Sequence, residues 1–235
     1  MLRPALEFAA QLLWPARCAG CDALVAADAS FCAACDETLF PLGEACAGCA
    51  LPPACGRCLR CLREPFPFVR ASASFAYGGA ITEAVLRLKH GGRVDLARPL
   101  GHSFLPLLRR EAAGADAILP VPLHPRRLRA RGFNQALELL RAARSVRPRP
   151  SWPPLWVDGL RRVRDTPALG RLSPGERRAM VAGAFSVVDP NRVRGQRLLV
   201  VDDVMTTGAT LAGCARVLID AGAVEVRVAA LARAL

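Results

Sequence analysis

Three groups of residues in this sequence have the types and spacing to do chemistry: a run of cysteines, a pair of adjacent aspartates and a single lysine. Nine of the ten cysteines lie between residues 18 and 61. They fall as Cys18-x-x-Cys21, Cys32-x-x-Cys35 and Cys46-x-x-Cys49, then Cys55, Cys58 and Cys61 at three-residue steps. A C-x-x-C turn aims two thiolates at one ion, and two such turns complete a tetrahedral four-sulfur zinc site. Cys18, Cys21, Cys32 and Cys35 form the first expected set. Cys46 and Cys49 can be completed by Cys55 with Cys58 or by Cys58 with Cys61. The eight-residue spacer before Cys58 is nearer the ten-residue spacer of the first set than the five before Cys55. That favours Cys58 with Cys61 and leaves Cys55 as the spare. Nine thiols cannot pair evenly, and no secretory signal precedes them, so a disulfide framework is disfavoured. Four thiolates leave no open position, and both ions are therefore expected to be structural. Cys214 stands alone on a predicted helix, where cysteine packs as a small hydrophobe.

The segment Leu198-Leu-Val-Val-Asp-Asp-Val-Met-Thr-Thr-Gly-Ala-Thr210 ends an apolar strand in two carboxylates and then turns into a helix. Ligands of open α/β sheets bind beyond the carboxyl ends of the strands. A helix N-terminus offers free N–H groups and a partial positive charge to an anion. Thr206, Thr207 and Thr210 can add hydroxyl hydrogen bonds, and Gly208 lets the backbone approach a phosphate. Asp202 and Asp203 cannot easily point the same way on an extended strand, so one or both must reach polar partners such as sugar hydroxyls or magnesium. A phosphate beside a diol is a ribose 5-phosphate.

Alternating strands and helices must position these groups. The pattern predicts strands over 69–77, 117–121, 197–201 and 224–231, and helices over 80–89, 95–110, 132–145 and 210–221. Ser173-Pro174-Gly175-Glu176 reads as a capping box that starts a further helix. The residues from Pro148 to Pro154 read as a connector. The class is α/β with a largely parallel sheet. The cysteine-rich stretch, about residues 15–64, is too thin in hydrophobic residues to fold without metal. The expected organisation is residues 1–64 as an N-terminal helix and double zinc ribbon, then 66–235 as the α/β domain.

With 52% hydrophobic and 22% charged residues among 235, disorder over the whole length is excluded. No apolar run reaches the ~20 residues of a membrane helix. Glu7, Gln11 and Pro15 interrupt the apolar start, which reads as a short amphipathic helix, and a cytoplasmic protein is expected. The net charge of +12 is unevenly placed. Residues 126–178 hold fourteen arginines against four acidic groups, whereas the flanking parts are each near neutral. Phe133, Trp152 and Trp156 fall in this block, a pattern that single-stranded nucleic-acid binding uses. An arginine-rich solvated face and a set of diphosphate ligands are the competing explanations. The single lysine, Lys89, is followed by His90 and then Gly91-Gly92. Its plainest role is a cation at a helix C-terminus. The glycines beside it suggest instead a turn that meets an anion. The three histidines, His90, His102 and His124, have no neighbouring ligands in sequence and are expected to be structural.

The Leu198–Thr210 string resembles the phosphoribosyl-pyrophosphate (PRPP) loop of type I phosphoribosyltransferases. Four further motifs extend the resemblance: Leu88-Lys89-His90-Gly91-Gly92, Val121-Pro122-Leu123-His124-Pro125-Arg126-Arg127, Arg131-Gly132-Phe133-Asn134-Gln135 and Arg164-Asp165-Thr166-Pro167. Together, in this order and over nearly the whole chain, they resemble the ComF family, which joins a zinc ribbon to a type I phosphoribosyltransferase-like domain. The resemblance implies that Asp202 and Asp203 engage the ribose hydroxyls with Mg2+ nearby, and that Thr206, Thr207, Gly208, Ala209 and Thr210 hold the 5-phosphate. It implies that Lys89, His90, Gly91 and Gly92 meet the diphosphate. Catalysis, if the chain is an enzyme, would rest on Lys89, Asp202 and Asp203, because Thr206 stands where some purine-salvage relatives carry an acidic base. Leu169 and Met180 replace a glutamine and an asparagine common in the family, which removes hydrogen bonds a nucleobase would use. The family also implies a link to DNA uptake and recombination proteins. Arg126, Arg127, Arg129, Arg131, Arg162 and Arg164 are the candidate single-stranded DNA ligands. The phosphoribosyl acceptor and the oligomeric state stay open, with a homodimer among the options.

Overall fold

The computed structural model describes residues 15–52, 56–146, 151–165 and 183–235. Residues 1–14 of the expected N-terminal helix, Cys55, the capping box at Ser173, Leu169 and Met180 lie outside the described residues.

Four parallel strands form the central sheet: β1 (Arg70–Ala76), β2 (Ala117–Pro120), β5 (Arg197–Met205) and β6 (Glu225–Arg233), in the order β1-β6-β5-β2. Both faces are covered, as parallel sheets require. On one face lie helices α3 (Gly79–His90), α4 (Ala97–Ala112) and α6 (Gln135–Ser145), with Ile81, Leu88, Leu100, Phe104 and Leu140 buried. On the other lies α8 (Ala209–Asp220), with Leu211, Cys214 and Leu218 buried beside Leu198 and Val200. Cys214 is thus a core residue. Each such Leu or Val burial contributes about 1.5–3 kcal/mol before chain entropy is charged against it. A small antiparallel ribbon, β3 (Leu160–Arg162) with β4 (Phe185–Val187), packs beside α8. Three short helices, α1 (Ala33–Asp36), α2 (Leu59–Arg63) and α7 (Pro190–Val193), lie in the connections.

Two sheet edges that could template aggregation are closed by short segments. Residues 40–42 run antiparallel to β1, where Leu42 N–H donates to Ser74 O (2.8 Å) and Ala76 N–H to Phe40 O (2.8 Å). At the other edge Trp156 N–H donates to Ile118 O (2.9 Å).

Three of the shifted boundaries bear on the site. The helix predicted from 132 begins at Gln135, and a separate helix α5 (Pro125–Arg131) precedes it. Pro125 sits in the first turn of α5, where a missing N–H costs nothing, and Gly132 (φ 85°) ends it. The helix predicted from Asp95 begins at Ala97, after a 3-10 turn at Val94–Leu96. The strand predicted to stop at Val201 runs to Met205, because β6 keeps pairing with it through Met205 and Arg233. Asp202 and Asp203 therefore lie inside the strand.

Candidate functional site

Alternation along β5 sends the two aspartates to opposite faces. Asp202 points to the α8 face, toward Cys214 and Arg162, and Asp203 to the α3 and α6 face. Lys89, one residue from the end of α3, places Nζ 2.5 Å from Asp203 Oδ2. Gln135 Nε2 donates to Asp203 Oδ1 (3.4 Å), and Arg131 Nη1 donates to Gln135 Oε1 (2.5 Å). A chain of polar groups thus runs from the α5–α6 turn to Lys89. Asn134 holds that turn, capping α6 through the N–H groups of Ala136 and Leu137 and donating to Val121 O (2.9 Å) at the end of β2.

Charge in the site is divided by burial. Lys89 is desolvated, which lowers its pKa, yet the Asp203 charge outweighs this and raises it. Burial would raise Asp203 too, but Lys89 holds it below the usual carboxylate range. Among the described residues no such cation touches Asp202, and burial and the Asp203 charge push it well above that range. Its Oδ1 accepts the Asp203 N–H (2.9 Å).

The strand then opens into the phosphate-loop candidate. Thr206 is exposed and Thr207 half-buried. Gly208 caps α8 at φ 80°, a region that disfavours any residue with a Cβ. Ala209 is buried in the first turn of α8, and Thr210 is half-buried beside it. Across the site, His90, Gly91 and Gly92 are exposed at the end of α3, with Gly92 at φ 63°. Lys89 and Asp203 thus meet near the carboxyl end of β5, with Asp202 on the opposite face of the sheet. Gln135 and the chain's single tyrosine, Tyr77, were not singled out by sequence reasoning. Tyr77 is close enough to feel Lys89 and Asp203, although burial is the larger influence on it. The available signal for Gln135 was its place at the end of the Arg131–Gln135 motif, just after the capping Asn134.

The cysteines form two groups, Cys18, Cys21, Cys32 and Cys35, then Cys46, Cys49, Cys58 and Cys61, each with its sulfurs within 4.8 Å of one another. Cys58 and Cys61 thus lie together with Cys46 and Cys49, while Cys55 lies outside the described residues. Cys21 Sγ and Cys32 Sγ lie 3.6 Å apart, and Cys49 Sγ and Cys58 Sγ 3.8 Å. A sulfur tetrahedron with metal–sulfur distances of about 2.3 Å has edges of about this length. Each group could hold one metal ion.

The two groups repeat each other. Cys32 N–H donates to Cys18 Sγ (3.3 Å) and Cys58 N–H to Cys46 Sγ (3.1 Å). Asp22 and Ala50, each following the second cysteine, both have positive φ (66° and 57°). Burial raises the pKa of Cys18 and Cys46, but backbone donors outweigh it and hold both at about 6, toward the thiolate a metal needs. A Cβ on Gly20 would lie 2.8 Å from Cys35 Sγ, and one on Gly48 would lie 3.0 Å from Cys61 Sγ.

Part of the described arginine block is paired or buried. Asp165 lies 3.5 Å from Arg127, 4.0 Å from Arg126 and 3.8 Å from His124. Arg131 turns inward to Gln135, and Arg162 is 8% exposed with its guanidinium 5.5 Å from the Phe185 ring. Arg129 and Arg164 are exposed. Of the three rings in the block, Trp156 is buried, whereas Phe133 and Trp152 are half-buried. Trp156 is 8% exposed beneath Arg192, Trp152 lies beneath Arg144, and Phe133 packs on the buried cluster of α3, α4 and α6.

Residues 171–235 match the family described as phosphoribosyl transferase domain. The DNA utilization protein YhgH of Salmonella typhimurium is 34% identical over 216 residues, covering 87% of this chain and 90% of the relative. The chain belongs to the ComF family. Further ComF-family relatives include Competence protein F of Haemophilus influenzae, 37% identical over 51% of each chain. Another is Competence protein ComFC of Streptococcus pneumoniae, 28% identical over 88% of this chain and 89% of that one. In this ComF-family chain the phosphoribosyltransferase-type sheet and the two cysteine groups occur together. No helix among the described residues is long and apolar enough to cross a membrane.

Proposed function

We propose that this chain binds PRPP at the carboxyl edge of its sheet. The observation that carries the reading is the convergence of Lys89 on Asp203 beside a strand that opens, through Gly208, into the N-terminus of α8. Thr206, Thr207, Gly208, Ala209 and Thr210 bind the 5-phosphate with hydroxyl and N–H donors. Asp202 and Asp203 accept the ribose hydroxyls. Lys89, His90, Gly91 and Gly92 receive the diphosphate, with Lys89 exchanging its partner from Asp203 to the ligand. Mg2+ entering with PRPP would be held near Asp202 and Asp203 and would neutralise diphosphate charge. The two cysteine groups hold structural Zn2+. Nine clustered thiols suit a reducing, cytoplasmic setting. If the chain turns over, it does so by stabilising a leaving diphosphate with Lys89 and neighbouring arginines.

Calorimetric titration with PRPP and Mg2+ tests this reading. The wild-type chain binds, and the double substitution Asp202→Ala, Asp203→Ala abolishes binding. An unchanged titration in the double variant sinks the site.

A role in DNA uptake, with single-stranded DNA held by Arg126, Arg127, Arg129, Arg131 and Arg164, is supported by the relatives' names and by the charge block at 126–178. Affinity for a single-stranded oligonucleotide should fall steeply with salt. Neutralising Arg126, Arg127 and Arg129 should flatten that slope by about 0.7 for each phosphate no longer paired with an arginine. No binding at low salt defeats this role and leaves the PRPP reading standing.

A further inference from the structure

Each cysteine group is tied by charged side chains to a different half of the candidate site. Asp22 follows Cys21 in the first group. It pairs with Arg87 near the end of α3 and accepts two hydrogen bonds from Arg93 (3.0 Å each) just after Gly92. Arg87 Nη1 also donates to Ala19 O (3.3 Å) and Gly20 O (3.1 Å), inside the first cysteine turn. Arg87 and Arg93 flank the Lys89–Gly92 turn on both sides, so the first group grips that turn at its two ends.

The second group is joined to the other half by Arg233, the last residue of β6 and only 2% exposed. Its Nε donates to Cys49 O (2.7 Å), within the second cysteine turn. Its Nη1 donates to Met205 O (3.1 Å) and also to Thr206 O and Ala234 O. A trans peptide points its C=O and the next N–H in opposite directions. With the carbonyls of Met205 and Thr206 held by Arg233, the N–H groups of Thr206 and Thr207 face away from it. Only a planar guanidinium offers several donors in fixed directions to carbonyls on two separate segments.

We infer that the two cysteine groups act as separate positioning anchors, the first for the diphosphate turn through Asp22, the second for the phosphate loop through Arg233. The inference rests on the PRPP reading for its ligands but not for its mechanics. Metal held by the first group fixes where Lys89 and the Gly91–Gly92 amides stand. Metal held by the second fixes the amides of Thr206 and Thr207. Arg233, Arg87 and Arg93 are positioning residues that carry this order into the site.

The test compares substitutions at equivalent positions, Cys32→Ser and Cys58→Ser, in the full chain. Inorganic pyrophosphate and ribose 5-phosphate serve as separate probes of the two halves. Cys32→Ser should weaken pyrophosphate by at least about tenfold and leave ribose 5-phosphate within about twofold; Cys58→Ser should do the reverse. Tenfold is roughly what one misplaced hydrogen bond to a charged group costs. Amide hydrogen exchange should accelerate at 89–93 in the first variant and at 206–208 in the second. If either serine variant fails to fold, Asp22→Asn and Arg233→Met give the same split with both metal equivalents retained. A general loss of order would weaken both probes and quicken both loops together, and that outcome overturns the inference. Unchanged exchange at both loops overturns it as well. If the wild-type chain binds neither probe, the PRPP reading fails, and the exchange pattern alone then decides whether the anchors exist.

Discussion

Lys89 Nζ lies 2.5 Å from Asp203 Oδ2, so the single lysine of the chain neutralises a buried carboxylate near the carboxyl end of β5. The pair is 21% and 3% exposed at its side chains, which shields it from screening by solvent.

Removing one partner should therefore be costly. Lys89→Met leaves Asp203 buried beside Asp202 and should destabilise the fold by about 3 kcal/mol. Lys89→Met with Asp203→Asn should recover most of that loss. Urea unfolding of the two single variants and the double variant measures the coupling, and strictly additive losses would mean that the pair contributes nothing.

Metal content should respond to two glycines. Gly20→Ala puts a Cβ 2.8 Å from Cys35 Sγ, and Gly48→Ala puts one 3.0 Å from Cys61 Sγ and 2.8 Å from Cys61 Cβ. Each should lower bound zinc from two equivalents per chain to one, read by elemental analysis after dialysis. Two full equivalents in both variants would show that the fourth thiolate can step aside.

Gly208→Ala asks an L residue to adopt φ 80° and brings its Cβ to 2.8 Å from Met205 Cε and 3.1 Å from the Phe66 ring. The methionine end can move, but the backbone strain stays. A loss of about 1–2 kcal/mol in thermal or urea unfolding is expected, together with loss of PRPP affinity. Wild-type stability in this variant would mean that the loop is free to rearrange.

Acid stability carries a signature of Asp116. Hydrogen bonds from the Arg197 side chain and backbone hold its pKa at about 2, below the ordinary 3.8. A depressed carboxylate pKa adds stability that is present above pH ~4 and is lost as pH falls toward 2. Asp116→Asn should therefore lose less stability than wild type across that window. Parallel urea midpoints for the two proteins between pH 4 and pH 2 would remove Asp116 from the acid transition.

Much of this protein is legible in the one-dimensional spacing of its residues. The x-x steps between cysteines bring pairs of sulfurs within reach of one ion, and two groups of four lie together among the described residues. The apolar run at 198–201 must be a strand covered on both faces, because no single face could bury it. Thr206 to Thr210 must follow that strand as a loop entering a helix. These are local consequences of chain geometry, set by residues close in sequence.

Tertiary packing decided the rest. No local rule brings Lys89 to Asp203, Gln135 to Asp203, or Arg233 to Cys49, since each contact joins segments that meet only once the sheet is ordered β1-β6-β5-β2. Composition made residues 126–178 look like an open cationic face with aromatic rings. The fold buried Arg162 and Trp156 and set Asp165 against Arg126 and Arg127. Sequence counts charges and rings, but their exposure is settled by which apolar surfaces compete for the core. The residues of the candidate site and of the two cysteine groups were written in the sequence. Which of them meet, and what each cysteine group holds in place, was decided by the packing of distant segments.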